Sequence, residues 1–282
     1  MMRIAVASGK GGAGKTTVAV SLAAMLSTGH SVHLLDCDVE APNAGLFLRP
    51  SIDVAEAVMR PVPVVDANLC DLCGRCSQVC RFHALAATPS RVLVFPDLCH
   101  GCGGCLRACP RGAIAERLVP AGEVRSGSAG PIRFTEGRLN TGATATVQVI
   151  HAVRRMETAS EFIILDAPPG ASCPLAATLD GVGHVLLVAE PTPFGLHDLR
   201  LAAETARLMG LPTSVVINRD GVGNRCVDDY CASAGIAVAG RIPDNRRVAE
   251  AYSRGEIPLA AVREFHDAVA AIAAQLLREV PA

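Results

Sequence analysis

Two stretches of this 282-residue chain carry residue types whose spacing is tied to chemistry. The first is Gly9-Lys10-Gly11-Gly12-Ala13-Gly14-Lys15-Thr16, followed by Thr17. Glycines let consecutive backbone N–H groups turn inward around an anion, Lys15 adds a point charge, and the Thr16 hydroxyl can ligate a cation such as Mg2+. That is a cradle for nucleotide phosphates. The second is a cysteine run that occurs twice, as Cys70, Cys73, Cys76, Cys80 and as Cys99, Cys102, Cys105, Cys109. Three thiols within seven residues and a fourth beyond suit an iron–sulfur cluster. The alternative is a pair of zinc sites, which ordinarily join one CxxC to a distant second. Asp166 is a further candidate: it ends the apolar run from Phe162 to Leu165 and so puts a carboxylate at a strand end, where it can hold the water shell of Mg2+.

Composition sharpens the first stretch. Of 26 basic residues only Lys10 and Lys15 are lysines. A slim ammonium threads among phosphates in a tight glycine loop, whereas a planar guanidinium does not. A net charge of −1 argues against a nucleic-acid partner, because non-specific binding to a polyanion rests on clustered positive charge. The apolar run from Ala268 to Leu277 is too short to span a bilayer and has no basic face to lie on one. The N-terminal apolar run is cut at once by Ser8 and Gly9, so secretion is not expected and the chain reads as cytoplasmic. Dense cysteine in that setting points to metal rather than disulfides.

The elements that must position these residues follow from periodicity. Arg3 to Ala7 reads as a buried strand, and Val18, Leu22, Met25 and Leu26 form one face of a helix, so the glycine loop joins a strand to a helix. Ser31 to Leu35 is a second strand, ending in Asp36-Cys37-Asp38. Further strands are expected at 92–95, 162–165, 184–190, 213–218 and 236–242, a loop at 120–131, and a helix at 143–158. Strands alternating with helices predict an α/β fold with a mostly parallel sheet covered on both faces. The cysteine segment interrupts that alternation. It predicts a discontinuous nucleotide-binding domain, residues 1–60 and 120–282, and a small α+β insert, residues 61–119, too short to fold on its own core without a metal centre.

The stretch GKGGAGKTT resembles the deviant Walker A motif of the MinD/ParA/Mrp and nitrogenase iron protein superfamily of P-loop ATPases. By that resemblance Lys10 is the signature lysine, reaching the phosphates of a partner subunit's nucleotide, and the active form is a dimer with nucleotide at the interface, either a homodimer or a heterodimer with a paralogue. Asp36 to Asn43 is similar to the family's switch I, which implies that Asp38 polarises the attacking water. Ile163 to Gly170 is similar to its Walker B and switch II. Asn218-Arg219 and Pro243-Asp244 resemble its adenine-side elements, and no NKxD guanine signature is present, so ATP is expected over GTP. The resemblance thus assigns Gly9 to Thr17, Asn218, Arg219, Pro243 and Asp244 to nucleotide binding, and catalysis to Lys10, Lys15, Asp38 and Asp166.

The cysteine spacing is similar to that of bacterial two-cluster ferredoxins, in which the fourth cysteine of each run ligates the other cluster. It implies one [4Fe-4S] cluster on Cys70, Cys73, Cys76 and Cys109, and a second on Cys99, Cys102, Cys105 and Cys80. Pro110 follows Cys109 as that pattern asks, but Arg81 follows Cys80, and a charge there is expected to raise the potential of the nearby cluster. Together the two motifs closely resemble MinD-superfamily ATPases containing an inserted ferredoxin domain, and the likeness extends through Glu190 to Asp198. It implies an ATP-hydrolysing iron–sulfur protein that couples dimer rearrangement to electron transfer to a protein redox partner. The alternative is an ATP-dependent carrier or maturation factor that delivers a metallocluster to a client. Of the other cysteines, Cys37 and Cys231 are expected to be buried, and Cys226 and Cys231 are too far apart for a CxxC scaffold pair. Cys173 is expected to pack in the interior, its alternative being an interface ligand or redox thiol.

Overall fold

The computed structural model describes residues 1–279. Its main sheet contains β1 (Met2–Ala7), β2 (Val32–Asp36), β3 (Ser51–Val65), β6 (Ile114–Ala129), β7 (Ile132–Leu139), β8 (Phe162–Asp166), β9 (His184–Ala189), β10 (Thr213–Asp220) and β11 (Ala237–Pro243). The spatial order is β11-β10-β9-β1-β8-β2-β7-β6-β3. From β11 to β7 every neighbouring pair is parallel; β6 and β3 add an antiparallel margin.

Parallel strands need crossovers, and these cover both faces. On one face Ile4, Val6 and Leu34 pack beneath α1 (Lys15–Leu26) and α10 (Arg263–Glu279). On the other, Ala5, Leu35 and Leu165 pack beneath α5 (Thr146–Arg155), α6 (Cys173–Leu179), α7 (Pro193–Leu208) and α8 (Cys226–Ala234). Alternate residues of one strand therefore serve two cores, which is why β1, β8 and β9 hold runs of consecutive apolar residues. Among the described residues no helix is long and apolar enough to cross a membrane.

The antiparallel margin corrects the sequence reading. The segment expected to be a loop, residues 120–131, is the second half of β6 and its turn into β7. Its small residues serve close packing: a Cβ on Gly127 would collide with the backbone of Ser51, and one on Gly122 with the backbone of Arg138. Pro120 sits at a shift in register against Val58 and Met59, and Pro61 and Pro63 lie on β3, the edge strand, where a missing N–H costs no ladder bond. The expected domain limits at residues 60 and 119 fall inside β3 and β6, which run as one ribbon from Ser51 opposite Ser128 to Val65 opposite Ile114.

The far end of the ribbon carries α3 (Arg75–Val79), the hairpin of β4 (Leu85–Ala87) and β5 (Val92–Val94), and α4 (Gly104–Ala108). Its small core joins Val62, Ala84, Leu85 and Ile114 with Cys76, Cys99 and Cys105. Each cysteine run makes the same turn: left-handed residues two and four places after the first cysteine (Leu72 and Gly74; Gly101 and Gly103) lead into a short helix.

Candidate functional site

The carboxyl ends of β1, β2, β8, β9, β10 and β11 lie along one edge, where open parallel sheets bind ligands. Register sets the level: Val6, at the end of β1, is opposite Asp166, and Asp166 is opposite Asp36. The glycine loop leaves β1 and enters α1 here, with Gly12 and Gly14 at φ of 82° and 91°, a left-handed backbone that side chains resist. A cavity of about 650 Å3 opens above this edge. Gly11, Gly12, Gly14, Lys15, Thr16 and Thr17 line one side, with Asp38 of the following loop. All four expected base-side residues, Asn218, Arg219, Pro243 and Asp244, line the other. Asn218 also braces the cradle, its side-chain amide donating to the carbonyl of Ala13 at 2.8 Å. Tyr252 and Val248 complete the apolar wall; no local pattern in the sequence marks them.

Lys15 is 7 % exposed, and its Nζ lies 2.8 Å from Asp38 Oδ2 and 3.9 Å from Asp166 Oδ1. Burial works against its charge, but Asp166, Asp38 and Asp36 outweigh burial and hold the ammonium above its usual range. Asp166 is fully buried, and neither carboxylate oxygen has a hydrogen-bond partner among the described residues. Burial, first, raises it to about 6, with Lys15 opposing. Burial and the neighbouring Asp166 also raise Asp36, whose oxygens accept from the backbone N–H groups of Asp38, Asn43 and Ala44 at 2.9–3.1 Å. Three carboxylates thus crowd one ammonium. A buried carboxylate that meets only the distant charge of Lys15, beside the Thr16 hydroxyl and a phosphate cradle, fits a hydrated divalent cation, whose charge would relieve that crowding.

Lys10 does not line the cavity. Its Nζ is 3.0 Å from Glu190 Oε2, whose other oxygen accepts from Arg219 Nη1 at 2.7 Å. Gly9 and Ala13 also lie off the cavity lining; Gly9 is needed because a Cβ would run into the backbone of Asp198.

The cysteines resolve into two sets. One small cavity is lined by Cys70, Cys73, Cys76 and Cys109, and a second by Cys80, Cys99, Cys102 and Cys105. Each set takes three cysteines from one run and the fourth from the other. Backbone N–H groups of Ala84, Gly101 and Ala113 donate to Cys80, Cys99 and Cys109 sulfurs at 3.3–3.4 Å, as suits thiolates. Among the described residues no three His, Cys, Asp or Glu converge closely enough to hold a single metal ion. Each quartet rings a small space, walled also by Val65, Val92 and Ile114 in one case and by Pro63, Leu85 and Phe82 in the other. That donor set fits a multinuclear cluster.

Of the remaining cysteines, Cys37 and Cys231 are buried as expected, and burial pushes both thiols up, so neither is a ready thiolate. Cys226 is half-buried. Cys173 departs from its expected interior place: it is exposed at the start of α6, between Ser172 and Pro174 of the nucleotide cavity.

Residues 4–259 match the family model described as the CobQ/CobB/MinD/ParA nucleotide binding domain. Two uncharacterized proteins of Methanocaldococcus jannaschii are similar at length: MJ0578, 32% identical over 79% of this chain and 80% of its own, and MJ0579, 27% identical over 91% of each. An iron-sulfur cluster carrier protein of Synechocystis is 56% identical over 46 residues, 16% of this chain and 13% of its own. The septum site-determining protein MinD of Pyrococcus horikoshii, solved with Mg-ADP, has the same fold, with a TM-score of 0.60 at 17% identity over 98% of this chain and 95% of that one.

Proposed function

The chain belongs to the CobQ/CobB/MinD/ParA family of nucleotide-binding proteins, and from that premise we propose that it is a Mg-dependent ATPase whose nucleotide cycle gates electron transfer through two [4Fe-4S] clusters. The observation that carries the reading is the sorting of eight cysteines into two quartets, each completed by the fourth cysteine of the other run. When bound, the clusters supply one-electron carriers and MgATP supplies the free energy of a conformational switch. The roles of the chain's own residues follow. Lys15 and the backbone amides of the glycine loop bind phosphates, and Asp166 with Thr16 orients the hydrated Mg2+. Asp38, ion-paired to Lys15 without a ligand, is released when phosphate takes that ammonium, and is then free to orient the attacking water. Lys10 exchanges Glu190 for the nucleotide of a second subunit in a dimer. Motion of the loop after β2 reaches the cysteine insert through Glu40, whose Oε1 accepts from the Thr146 hydroxyl at 2.9 Å, and through Thr144, which donates to the carbonyl of Cys99 at 3.1 Å.

A second reading, an ATP-dependent carrier that passes an iron–sulfur cluster to a client, draws support from the short, 51–57% identical stretches shared with several iron-sulfur cluster carrier proteins. One experiment separates the two. The clusters of the whole protein are reduced anaerobically, MgATP or a non-hydrolysable analogue is added, and cluster EPR and iron content are followed together. A nucleotide-dependent change in potential or oxidation rate with iron retained is expected. Iron passing to an apo-acceptor establishes the carrier reading instead. Wild-type rates of hydrolysis in both Lys10→Ala and Lys15→Ala would remove the ATPase mechanism itself.

A further inference from the structure

Arg60 lies in the middle of β3 and is 3 % exposed, yet no carboxylate among the described residues forms an ion pair with it. Its Nη1 donates to the carbonyl of Pro96 at 3.0 Å and to that of Cys99, and its Nε has no partner. A buried guanidinium without a counter-charge is costly, and such charges are ordinarily paired. The missing anion has an evident place, since Cys99 belongs to the quartet with Cys80, Cys102 and Cys105. Four thiolates around an iron–sulfur core leave net negative charge, and a further electron adds to it.

We propose that Arg60 is the resident counter-cation of the cluster held by Cys80, Cys99, Cys102 and Cys105, a positioning residue that raises that cluster's reduction potential above that of the other. The inference rests on the reading of these cysteines as iron–sulfur ligands. The surroundings single out Arg60. Arg81, next to Cys80 in sequence, is exposed, so water and salt screen it. Glu116, on the rim of the same cavity, is exposed as well. Around the other quartet, Arg75 is exposed, and Asp71 and Arg111 form a surface pair at 2.9 Å that cancels its own charge.

Arg60 also sets the local dipoles. Together with Thr144, on the carbonyls of Asp97 and Cys99, and Gln148, on that of His100, it ties the carbonyls of the loop away from the cysteines. The N–H of Gly101 is left to donate to Cys99 Sγ at 3.4 Å. Positive charge and positive dipole ends then act in the same direction on one cluster.

The test is a redox titration of the whole protein without nucleotide, with dithionite as the electron source, read by EPR alongside iron and sulfide content. Arg60→Met and Arg60→Gln are expected to lower one of the two midpoint potentials by about tenfold in the reduction equilibrium, which is about 59 mV for one electron, and to leave the other in place. Arg60→Lys restores at least part of the difference, and Arg81→Ala changes neither potential. Should Arg60→Met fail to fold, Arg60→Gln keeps donors without the charge and decides alone. Both potentials unchanged at full iron content in Arg60→Gln would overturn the inference by itself. A wild-type protein that binds no iron would overturn the cluster reading, and this inference with it.

Discussion

Replacing Asp166 with asparagine tests the electrostatics of the nucleotide edge without any assumption about turnover. Asp166 is fully buried, has no hydrogen-bond partner among the described residues, and has its pKa raised from 3.8 to about 6. Below pH 3.8 the carboxyl is protonated in the folded and unfolded chains alike, and costs nothing. Between 3.8 and about 6 the folded protein keeps a proton that the unfolded chain has released, so stability falls as pH rises. Above about 6 the penalty is complete, about 3 kcal/mol. An asparagine amide does not ionise and carries no such penalty, so Asp166→Asn without ligand should be more stable than wild type at pH 7.5, by up to that amount. An amide left without partners reduces the gain. His33 acts in the opposite direction: burial, with Arg133, lowers it to about 4, and it loses stability as pH falls from 6.5. It is common to both proteins and cancels in their difference. Urea unfolding of the two proteins at pH 5 and pH 7.5, without nucleotide, supplies the measurement. The advantage of the variant should grow between them by on the order of 1 kcal/mol, one pH unit of titration below the folded pKa. MgADP should then stabilise the wild type and not the variant. A pH-independent difference, or a variant less stable than wild type at pH 7.5, would refute the reasoning.

Other perturbations probe the remaining parts. Gly14→Ala forces a side chain into φ 91° and against the Asn218 amide, so nucleotide affinity, measured with a fluorescent analogue, should fall at least about tenfold while circular dichroism stays native; unchanged affinity would show that the cradle tolerates the strain. Thr144→Val removes the hydroxyl bonded to the carbonyls of Asp97 and Cys99. ATP turnover should persist, and the nucleotide effect on cluster EPR should weaken; a full effect would mean that the signal travels another way. Cys173→Ser should leave iron per protein unchanged, because the eight insert cysteines already complete two quartets, and a loss of iron would make Cys173 a ligand.

What could be read from residues alone was the chemistry whose parts are contiguous. A phosphate cradle needs glycines, a lysine and a hydroxyl within one turn, so Gly9 to Thr17 carried its own meaning. The cysteine runs were legible because each places three thiols in one short turn; the exchange of Cys80 and Cys109 was what the resemblance to two-cluster ferredoxins implied, and the fold sets each of them beside the other run. The parallel sheet was legible because strands buried on both faces carry continuous apolar runs, as β8 does from Phe162 to Leu165 and β9 from Val185 to Ala189. The stretch from Pro120 to Pro131 was misread because glycine, serine and proline mark a turn and a close strand crossing alike. Only the pairing of Gly127 with Ile52 and of Gly122 with Leu139 tells them apart.

Tertiary structure alone decided the charges. The partner of Lys10 is 180 residues away at Glu190, Arg60 is buried against the carbonyl of Cys99 by the fold of the ribbon, and Arg81, beside Cys80 in sequence, stands exposed to water. Residue types are written in the chain. The work done by a charge depends on its depth from water and on what faces it, and both are properties of strand register and packing between distant segments.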